Sequence, residues 1–415
     1  MRESVKSAKF LALCVVAVIL VSSCSIGNDK MQIGSTLLIY IAADNNLAYN
    51  AELNIQEIMA GDVPVYFNEG AGDVLLVYAD IRGENPRLMR ISKDAYGAVS
   101  QEVLVEYEPQ NSLSDSVMSS VLAYAAGLFP SQENSLVLWS HGTGWLPEGY
   151  YSNPTAVGAD GQAVPVGMSE DPYAGYVKSF GADGGYEMDI KDLAEALPVH
   201  YRYILFDACL MGGVEVAYEL RDKCDYLVVS AAEVLAAGFP YRQVIGDMVD
   251  GSVPALQRVC DKYYDYYSED GATVALVDAG SLDHLAVTCR EILRNGGVDS
   301  IPDLDMSSLQ GYFRQNRHWF YDLGDFMSRI SPHESFLEDF RDALDKTVIY
   351  KRATADFVLG GIVQFPIKTF SGLSTYVPNP ENPVLDEYYR TLAWNQDVRM
   401  VGNIPYYFFS PKNLL

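Results

Sequence analysis

Residues 203–213 read YILFDACLMGG, an apolar run that is long enough for a strand, too short for a stable core helix, and closed by a glycine pair. A second stretch of the same design, SLVLWSHGTGW at residues 135–145, also ends in a polar turn that contains glycine. Cys209 stands at the exit of the first run and His141 at the exit of the second. A thiol attacks a carbonyl only as the thiolate, and a nearby imidazole accepts its proton. The two exits therefore indicate a site for nucleophilic thiol chemistry.

The fold has to bring these two side chains together, because they are far apart in the sequence. Adjacent parallel strands joined by a crossover would do so, since ligands of open α/β sheets bind beyond the carboxyl ends of the strands. Taken alone, each residue has a plain structural interpretation. A single cysteine in an apolar segment is usually a small buried hydrophobe, and a histidine before glycine is often a turn residue. Their matched positions favour the chemical interpretation.

Continuous apolar runs recur along the chain, as expected for parallel strands that are covered on both faces. Segments with helical spacing lie between them, and this alternation predicts a doubly wound, mostly parallel α/β sheet flanked by helices. The predicted strands are Thr36–Ala42, Val74–Ala79, Leu136–Trp139, Tyr203–Phe206, Tyr226–Val229 and Thr273–Val277. The predicted helices cover residues 114–129, 188–197, 214–221 and 253–267.

Two regions depart from this alternation. Residues 146–186 are rich in Gly, Pro, Tyr, Asp and Ser and lie between the histidine and cysteine strands, so we expect a structureless loop that borders the site. After about residue 300, a helical segment at 335–348 precedes two strand-like runs, Phe357–Gln364 and Leu373–Val377. We expect this part to form a C-terminal α/β extension that packs on the core and adds strands to the sheet.

The amino terminus has the pattern of an export signal. Arg2, Lys6 and Lys9 precede an apolar stretch that ends in VSSC, with small residues directly before Cys24. This resembles a bacterial lipoprotein cleavage site, at which residues 1–23 are removed as a signal peptide and the new terminal cysteine is lipidated. We therefore expect an exported, lipid-anchored protein of the bacterial cell envelope. The alternative is an ordinary signal peptide with an incidental cysteine.

The composition limits what the rest of the chain can do. On the lipoprotein interpretation, residues 24–34 are the lipidated terminus and a linker, residues 35–300 the core and residues 301–415 the extension. A chain of 415 residues that is 49% hydrophobic is sufficient for such a core. The net charge of −26 argues against nucleic-acid binding, since phosphate contacts need a basic face. It also gives no attraction to anionic lipid, so membrane contact is expected through the lipid anchor alone.

The cysteine count does not indicate a disulfide framework. Signal removal and lipidation would leave Cys209, Cys224, Cys260 and Cys289. If Cys209 is the nucleophile the remaining number is odd, so one disulfide at most can form, and the sequence does not select it. No CxxC pair or Cys/His cluster has the spacing of a zinc site. The sequence indicates no definite cofactor and leaves a role for calcium open.

The segments around the two exits resemble the clostripain-like cysteine peptidases, which share a caspase-like fold with gingipains and legumains. The family signature is a hydrophobic strand ending in His-Gly, found here at residues 136–142, and a second ending in Asp-Ala-Cys, found at residues 204–209. The resemblance spans roughly residues 35 to 400 and implies a caspase-like core that hydrolyses peptide bonds. Further similar segments follow in order: LLIYIAADNNL at 37–47, CLMGGVEVAYEL at 209–220, FYDLGDF at 320–326 and GLSTYVP at 372–378.

The catalytic roles follow from the chemistry of the two exits. Cys209 is the expected nucleophile, and His141 is the expected base that later protonates the leaving amine. The backbone N–H groups of Gly142 and Cys209 are the expected oxyanion donors, because glycine permits close backbone approach. The sequence shows no third residue of a triad.

Asp207 is the expected determinant of substrate choice. It precedes the nucleophile by two residues, so strand alternation points both side chains to the same side. In clostripain-like enzymes the matching aspartate lines the primary specificity pocket and receives a basic side chain. Glu233, in SAAEVLAAGFPY at residues 230–241, is a second candidate for the pocket wall, although this segment lacks the proline that is common in the family before its Gly-aromatic pair. The structural alternative is that Asp207 caps the next helix or makes an internal hydrogen bond.

The loop between the two strands contains a candidate for self-processing. Clostripain-like enzymes are often nicked between the histidine and cysteine strands. Lys178 is the one basic residue between Gly142 and Ile190, and small and glycine residues surround it. The resemblance therefore implies self-cleavage between Lys178 and Ser179, since exposed flexible loops are preferred sites of nicking. The alternative is an uncut loop with a solvated lysine.

The leading hypothesis is a lipid-anchored cysteine endopeptidase that cleaves proteins or peptides after Arg, with Lys as a second option. A catalytically degenerate relative that binds peptides or partners is an alternative, and the intact His141 and Cys209 count against it. A surface adhesion or structural lipoprotein is a further alternative, supported only by the Tyr-rich loop. Because a fold alone does not decide function, the site residues carry the hypothesis.

Overall fold

A nine-stranded sheet forms the centre of the computed structural model, with helices on both faces. The structure describes residues 33–66, 72–150, 155–157, 163–165, 180–313, 317–379 and 382–402. Strands and helices are numbered in chain order. The strands of the central sheet are β1 (Ile33–Ala43), β2 (Gly72–Ile81), β3 (Arg87–Lys93), β4 (Val99–Glu106), β5 (Ser131–Trp139), β10 (Tyr201–Asp207), β11 (Cys224–Val229), β12 (Thr273–Asp278) and β14 (Val348–Ala353).

Smaller elements surround this sheet. The short antiparallel pairs are β6 (Thr155–Val157) with β7 (Ala163–Pro165), β8 (Phe180–Asp183) with β9 (Tyr186–Met188), β13 (Tyr321–Asp322) with β17 (Ser374–Thr375), and β15 (Asp356–Leu359) with β16 (Ile362–Pro366). The helices are α1 (Ala48–Met59), α2 (Asp115–Leu128), α3 (Ile190–Ala196), α4 (Val214–Glu219), α5 (Tyr241–Asp250), α6 (Val253–Tyr266), α7 (Leu282–Ile292), α8 (Val298–Ser300), α9 (Leu323–Ile330), α10 (Glu334–Thr347), α11 (Pro383–Tyr389) and α12 (Ala393–Val398).

The strand order is β14-β12-β11-β10-β5-β1-β2-β3-β4. The five strands from β11 to β2 pair in parallel, and antiparallel pairings add β12 and β14 at one side and β3 and β4 at the other. All six predicted strands belong to this sheet, so the predicted α/β class is confirmed. The parallel direction predicted for Thr273–Val277 is wrong, because β12 runs antiparallel to β11. Its continuous apolar run reflects burial on both faces, which does not depend on strand direction.

Side-chain alternation along the strands divides the core between the two faces of the sheet. In β1, Leu37, Ile39 and Ile41 pack on one face with residues of α1, α5 and α6, whereas Leu38 and Tyr40 pack on the other face. The side chains on this second face, which include Leu38 and Tyr40, pack against α2, α3, α4 and α7 and against the C-terminal helices. A parallel sheet needs this cover on both sides, and the continuous apolar runs in the sequence supply it. The four predicted helices correspond to α2, α3, α4 and α6.

The residues after 300 are built into the core. Strand β14 is the edge strand of the central sheet, next to β12, but it is not one of the two strands predicted for this part. The run predicted at Leu373–Val377 contributes only β17, which pairs with β13 outside the central sheet. The single strand predicted over Phe357–Gln364 is wrong. The chain instead turns at Gly360 and Gly361, both with positive φ, and forms the hairpin of β15 and β16. Two residues with positive φ suit the tight turn of a two-residue hairpin loop, and glycine adopts them without strain.

The segment between the histidine and cysteine strands is more ordered than expected from its composition. It contains the β6–β7 pair and the β8–β9 hairpin, so the expectation of a structureless loop over residues 146–186 is wrong for these parts. Gly184 and Gly185 have φ values of 53° and 105°, which allow the tight turn between β8 and β9. In the part of the chain that the structure describes, no helix has both the length and the apolar character needed to cross a membrane.

Candidate active site

The histidine and cysteine loops leave the sheet side by side. Strands β5 and β10 are parallel neighbours, and Trp139 pairs with Asp207 at their carboxyl ends. The N–H of Ser140 donates to the carbonyl oxygen of Asp207 at 3.3 Å, so the pairing extends one residue into the loops. His141 and Cys209 follow directly, and both are half-buried. The structure therefore confirms the prediction that the two strand exits are adjacent.

A cavity of about 480 Å³ opens between these loops. His141 and Cys209 both line it, together with Asp207 and Glu233. The other lining residues come from the turn after β1, the start of α1, the ends of β5 and β10, the loop after β11 and the β15–β16 hairpin: Asn46, Leu47, Asn50, Trp139, Ser140, Ala208, Val234, Leu235, Ala236, Gly238, Leu359 and Gly360.

The thiol of Cys209 is held by the loop after β11. Its Sγ donates to the carbonyl oxygen of Val234 at 3.3 Å and accepts from the N–H of the same residue at 3.4 Å. The next residue, Leu210, has a φ of 61°, a left-handed conformation that costs energy for a side chain of this kind. Its N–H donates to Ala232 O at 2.9 Å, which helps to hold the turn. The sharp turn therefore presents Cys209 at the end of β10.

The imidazole of His141 is oriented from a third strand exit. Its Nε2 lies 2.7 Å from Oδ1 of Asn46, in the turn after β1. An amide oxygen accepts, so Nε2 is the donor in this contact, and Nδ1 is the ring nitrogen that can accept a proton when the imidazole is neutral. Sequence reasoning did not assign a role to Asn46. The position of Asn46 just after β1 could have indicated a role, because β1 is adjacent to β5 and both strands end at the same edge of the sheet.

Gly142 packs directly on the cysteine turn. A Cβ at this position would lie 2.4 Å from the carbonyl oxygen of Cys209 and 3.1 Å from its nitrogen. A side chain cannot be accommodated there, so the glycine is required for the close approach of the two loops. The two N–H groups predicted to bind an oxyanion, those of Gly142 and Cys209, therefore belong to backbone segments in contact.

Asp207 forms internal hydrogen bonds and also lines the cavity. Only 3% of its surface is exposed, and its Oδ2 accepts from the N–H of Phe239 at 3.1 Å and the hydroxyl of Tyr241 at 2.8 Å. Its Oδ1 has no hydrogen bond to the described residues. Burial raises the pKa of Asp207 to about 6, against the lowering effect of its two hydrogen bonds, and the nearby Glu57 raises it further. At neutral pH this carboxylate is charged and has one oxygen to offer a ligand.

Ser140, to which no role was assigned from the sequence, links the histidine loop to two neighbouring strands by hydrogen bonds. Its hydroxyl donates to the carbonyl oxygen of Ala42 at 2.7 Å and accepts from the N–H of Ala182 at 3.3 Å. The N–H of Gly181 also donates to the carbonyl oxygen of His141 at 2.9 Å. Strand β8 is thereby fixed against the histidine loop. The predicted processing position, Lys178-Ser179, and the predicted lipid site, Cys24, lie outside the described residues.

Comparison with known proteins identifies the family. The sequence model of the clostripain family matches residues 39–163 and 174–405, which is most of the chain. The chain belongs to the clostripain family of cysteine peptidases. The fold class and the enzyme class expected from the sequence are therefore confirmed. No curated protein sequence gives a significant match.

Solved structures of clostripain-family (C11) proteases have the same fold. An inactive zymogen C11 protease from Parabacteroides distasonis is 33% identical, with a TM-score of 0.73, over 88% of this chain and 98% of that one. A secreted C11 cysteine protease from Bacteroides thetaiotaomicron, solved in complex with an irreversible peptide inhibitor, is 29% identical, with a TM-score of 0.72, over 88% of this chain and 99% of that one.

In this clostripain-family peptidase, the C-terminal residues support the cysteine turn. The N–H of Ser374 donates to the carbonyl oxygen of Gly212 at 2.8 Å, just after the turn. Glu215, at the start of α4, is fully buried, and burial raises its pKa. Its Oε1 accepts three hydrogen bonds from the C-terminal part of the chain, donated by the hydroxyl of Thr375 at 2.8 Å, the N–H of Tyr376 at 2.9 Å and the hydroxyl of Tyr389 at 2.7 Å.

The other cysteines of the described chain lie far from solvent. Cys224, Cys260 and Cys289 are at most 2% exposed, and none of the four described cysteines forms a disulfide. The described residues contain no group of three or more His, Cys, Asp or Glu side chains arranged to hold a metal ion.

We expect a thiol reagent to distinguish Cys209 from these three residues. Burial raises the pKa of the Cys224, Cys260 and Cys289 thiols, so few thiolates are present and the reagent cannot reach them. Limiting iodoacetamide on folded protein should therefore modify Cys209 first, as measured by peptide mass spectrometry. Unfolded protein, in which all four positions should react, is the control. Equal labelling of Cys260 in the folded state would contradict the assignment.

Proposed function

We propose that this clostripain-family peptidase is a lipid-anchored endopeptidase that cleaves after basic residues, with Arg preferred and Lys as a second option. The observation that carries the proposal is the composition of one cavity. His141 and Cys209 line it together with two acidic side chains, Asp207 and Glu233. An extended peptide whose basic side chain meets Asp207 would have its own carbonyl carbon near the thiol. A net charge of −26 adds a field that attracts cationic substrates.

The reaction follows the general course of thiol catalysis. His141 takes the proton of Cys209 Sγ, and the thiolate attacks the carbonyl carbon while the carbonyl π electrons move to oxygen. The N–H groups of Gly142 and Cys209 donate to that oxyanion. When the C–N bond breaks, His141 returns its proton to the leaving amine, and a thioester remains on Cys209. Water, deprotonated by His141, then attacks the thioester and releases the carboxylic acid and the thiolate.

Selectivity comes from the chemistry of Asp207. One carboxylate oxygen can accept from an Arg guanidinium or a Lys ammonium, and the guanidinium is the more weakly hydrated cation, which favours Arg in a buried pocket. Oδ2 is already occupied by Phe239 and Tyr241, so the substrate cation would contact Oδ1. Glu233 is 8% exposed and adds a second negative group to the wall. The two carboxylates offset the cost of removing the substrate cation from water.

Replacing either reacting residue should stop cleavage without unfolding the protein. Cys209→Ala removes the nucleophile, and His141→Ala removes a general base whose contribution is on the order of 10²–10⁴ in rate. The measurement is kcat/KM on Arg-ended peptide reporters, with circular dichroism to show that both variants are folded. Cys224→Ala, at a buried position remote from the mechanism, is the matched control and should retain activity. Activity in Cys209→Ala would favour the alternative of a binding module with a contaminating peptidase.

Asp207→Asn should lower discrimination for charge. Removing one partner of a buried charge pair costs about 2–5 kcal/mol, so kcat/KM for an Arg substrate should fall far more than that for the neutral isostere citrulline. The Arg-to-citrulline ratio cancels the ionisation of His141 and Cys209, which both substrates share. Equal losses for the two substrates would show that Asp207 supports the geometry of the nucleophile instead.

The same ratio should depend on pH. Because kcat/KM reports the ionisation of the enzyme without substrate, the pKa of about 6 applies to Asp207. As the pH falls through 6 this carboxylate takes up a proton and loses its charge, so the Arg-to-citrulline ratio should fall; above about pH 7 it should be constant. In Asp207→Asn the change near pH 6 should be absent. Glu233→Gln removes the other carboxylate of the wall but keeps Asp207, so its Arg-to-citrulline ratio should be lower at every pH while the change near pH 6 persists.

We also propose two covalent events at positions outside the described residues: lipidation of Cys24 and self-cleavage between Lys178 and Ser179. Strand β8 begins directly after Ser179 and is hydrogen-bonded to the histidine loop, which supports a cut close to the active site. Mass spectrometry of the membrane-extracted protein addresses both events. It should find a lipidated terminus at Cys24 and a second terminus at Ser179 that is absent from Cys209→Ala. An unmodified terminus elsewhere, or full activity of an uncut chain, would reject the respective event.

A further inference from the structure

The β15–β16 hairpin projects a short apolar tip beside the active site. Its strands turn at Gly360 and Gly361, with φ values of 57° and 79°, and Leu359 pairs with Ile362 across the turn. Three apolar side chains are exposed at this end: Leu359 by 37%, Ile362 by 67% and Val363 by 55%.

The base of the hairpin is anchored in the core, so the tip has a defined position. The rings of Phe357 and Phe365 stack with a centroid distance of 5.2 Å, and both are nearly fully buried. The backbone also packs closely on Gly271, where a Cβ would lie 2.8 Å from the Cα of Phe357. A hairpin fixed in this way holds its exposed tip with little loss of conformational freedom on binding.

The composition of the tip is unusual for this protein. Residues 357–367 contain no charged side chain, although the chain as a whole carries a net charge of −26. Single exposed apolar residues are common on protein surfaces, but a cluster of them beside a cleft indicates an interaction site. Exposed apolar strand ends also favour aggregation, so we expect a bound ligand or partner to cover a cluster of this kind.

The tip is continuous with the active-site cavity. Leu359 and Gly360 line the cavity that contains His141 and Cys209, and the apolar residues Val234 and Leu235 also line it. A cavity of this volume is on the order of 10 Å across, which is the length of about three residues of an extended peptide. A peptide that places its scissile bond at Cys209 therefore has neighbouring residues within reach of the tip.

We propose that the tip formed by Leu359, Ile362 and Val363 is a specificity surface that binds an apolar side chain of the substrate. That side chain belongs to a residue within about three positions of the scissile bond, while the basic side chain occupies the acidic part of the cavity. The inference rests on the proposed cleavage after basic residues and adds a second requirement to it. The preferred substrate class is thus a peptide with a basic residue next to an aliphatic one.

The test compares internally quenched peptides that share one Arg in a Ser/Gly background. One peptide has no apolar residue, and the others carry a single Leu at one of the three positions on either side of the scissile bond. Wild-type enzyme should show a kcat/KM higher by about tenfold or more for Leu at one or more of these positions, as expected for burial of an aliphatic side chain. The double variant Ile362→Thr, Val363→Thr should lose most of this advantage, since threonine retains strand propensity but not the apolar surface.

The control variant is Val103→Thr in β4, an exposed valine (46%) in the edge strand at the far side of the sheet. It should keep the leucine advantage, and all three proteins should cleave the Ser/Gly peptide equally.

A double variant that keeps the advantage, or loses the same factor on every peptide, would overturn the inference. So would a double variant that changes only the solution molecular mass or the binding to anionic vesicles, because the occupant would then be a second copy or a membrane. If wild type cleaves all Arg peptides equally, this inference alone fails; if it cleaves none after Arg, the proposed function fails.

Discussion

The parallel pairing of β5 with β10 is the interaction on which the site depends. It places Trp139 opposite Asp207, so the residues that follow each strand emerge at the same height and on the same edge. Side chains alternate along a strand, and a slip of one residue in this register would turn every side chain of β10 to the opposite face. Close packing on both faces disfavours such a slip, because each half of the core would then receive the side chains that fit the other half. The sheet core therefore determines the separation of His141 and Cys209.

Two buried carboxylates beside the cysteine turn illustrate how similar groups acquire different roles. Burial raises the pKa of both Asp207 and Glu215. One oxygen of Glu215 accepts three hydrogen bonds from the C-terminal residues, and the other is buried without a hydrogen-bond partner among the described residues. Glu215 is thus inaccessible to a ligand and ties the C-terminal part of the chain to the segment that follows Cys209. Asp207 keeps an oxygen at the cavity, which suits it to an incoming charge.

The sequence was sufficient for the central fold and for the placement of His141 and Cys209 at one cavity, because both depend on apolar runs with polar exits. His141 and Cys209 could be found since each stands where a run ends. Asn46 could not, because an amide in a turn looks the same whether it orients a ring or only caps the backbone. The direction of β12 could not be predicted either, since burial on both faces gives the same pattern in parallel and antiparallel strands. The glycine pair at 360–361 was a turn signal within a run that was taken as one strand.

The central sheet contains strands from both sides of the loop at 146–186, which determines how the protein would respond to a break in that loop. The segments before the loop at 146–186 supply β1, β2 and β5, and those after it supply β10, β11 and β12, all in one continuous sheet. A break in that loop would yield two polypeptides whose boundary is the β5–β10 ladder and the apolar layers above and below it. Separating them would expose two unpaired central strand edges to water, which is as costly as unfolding. Such a nicked protein would persist as an obligate heterodimer derived from a single gene product.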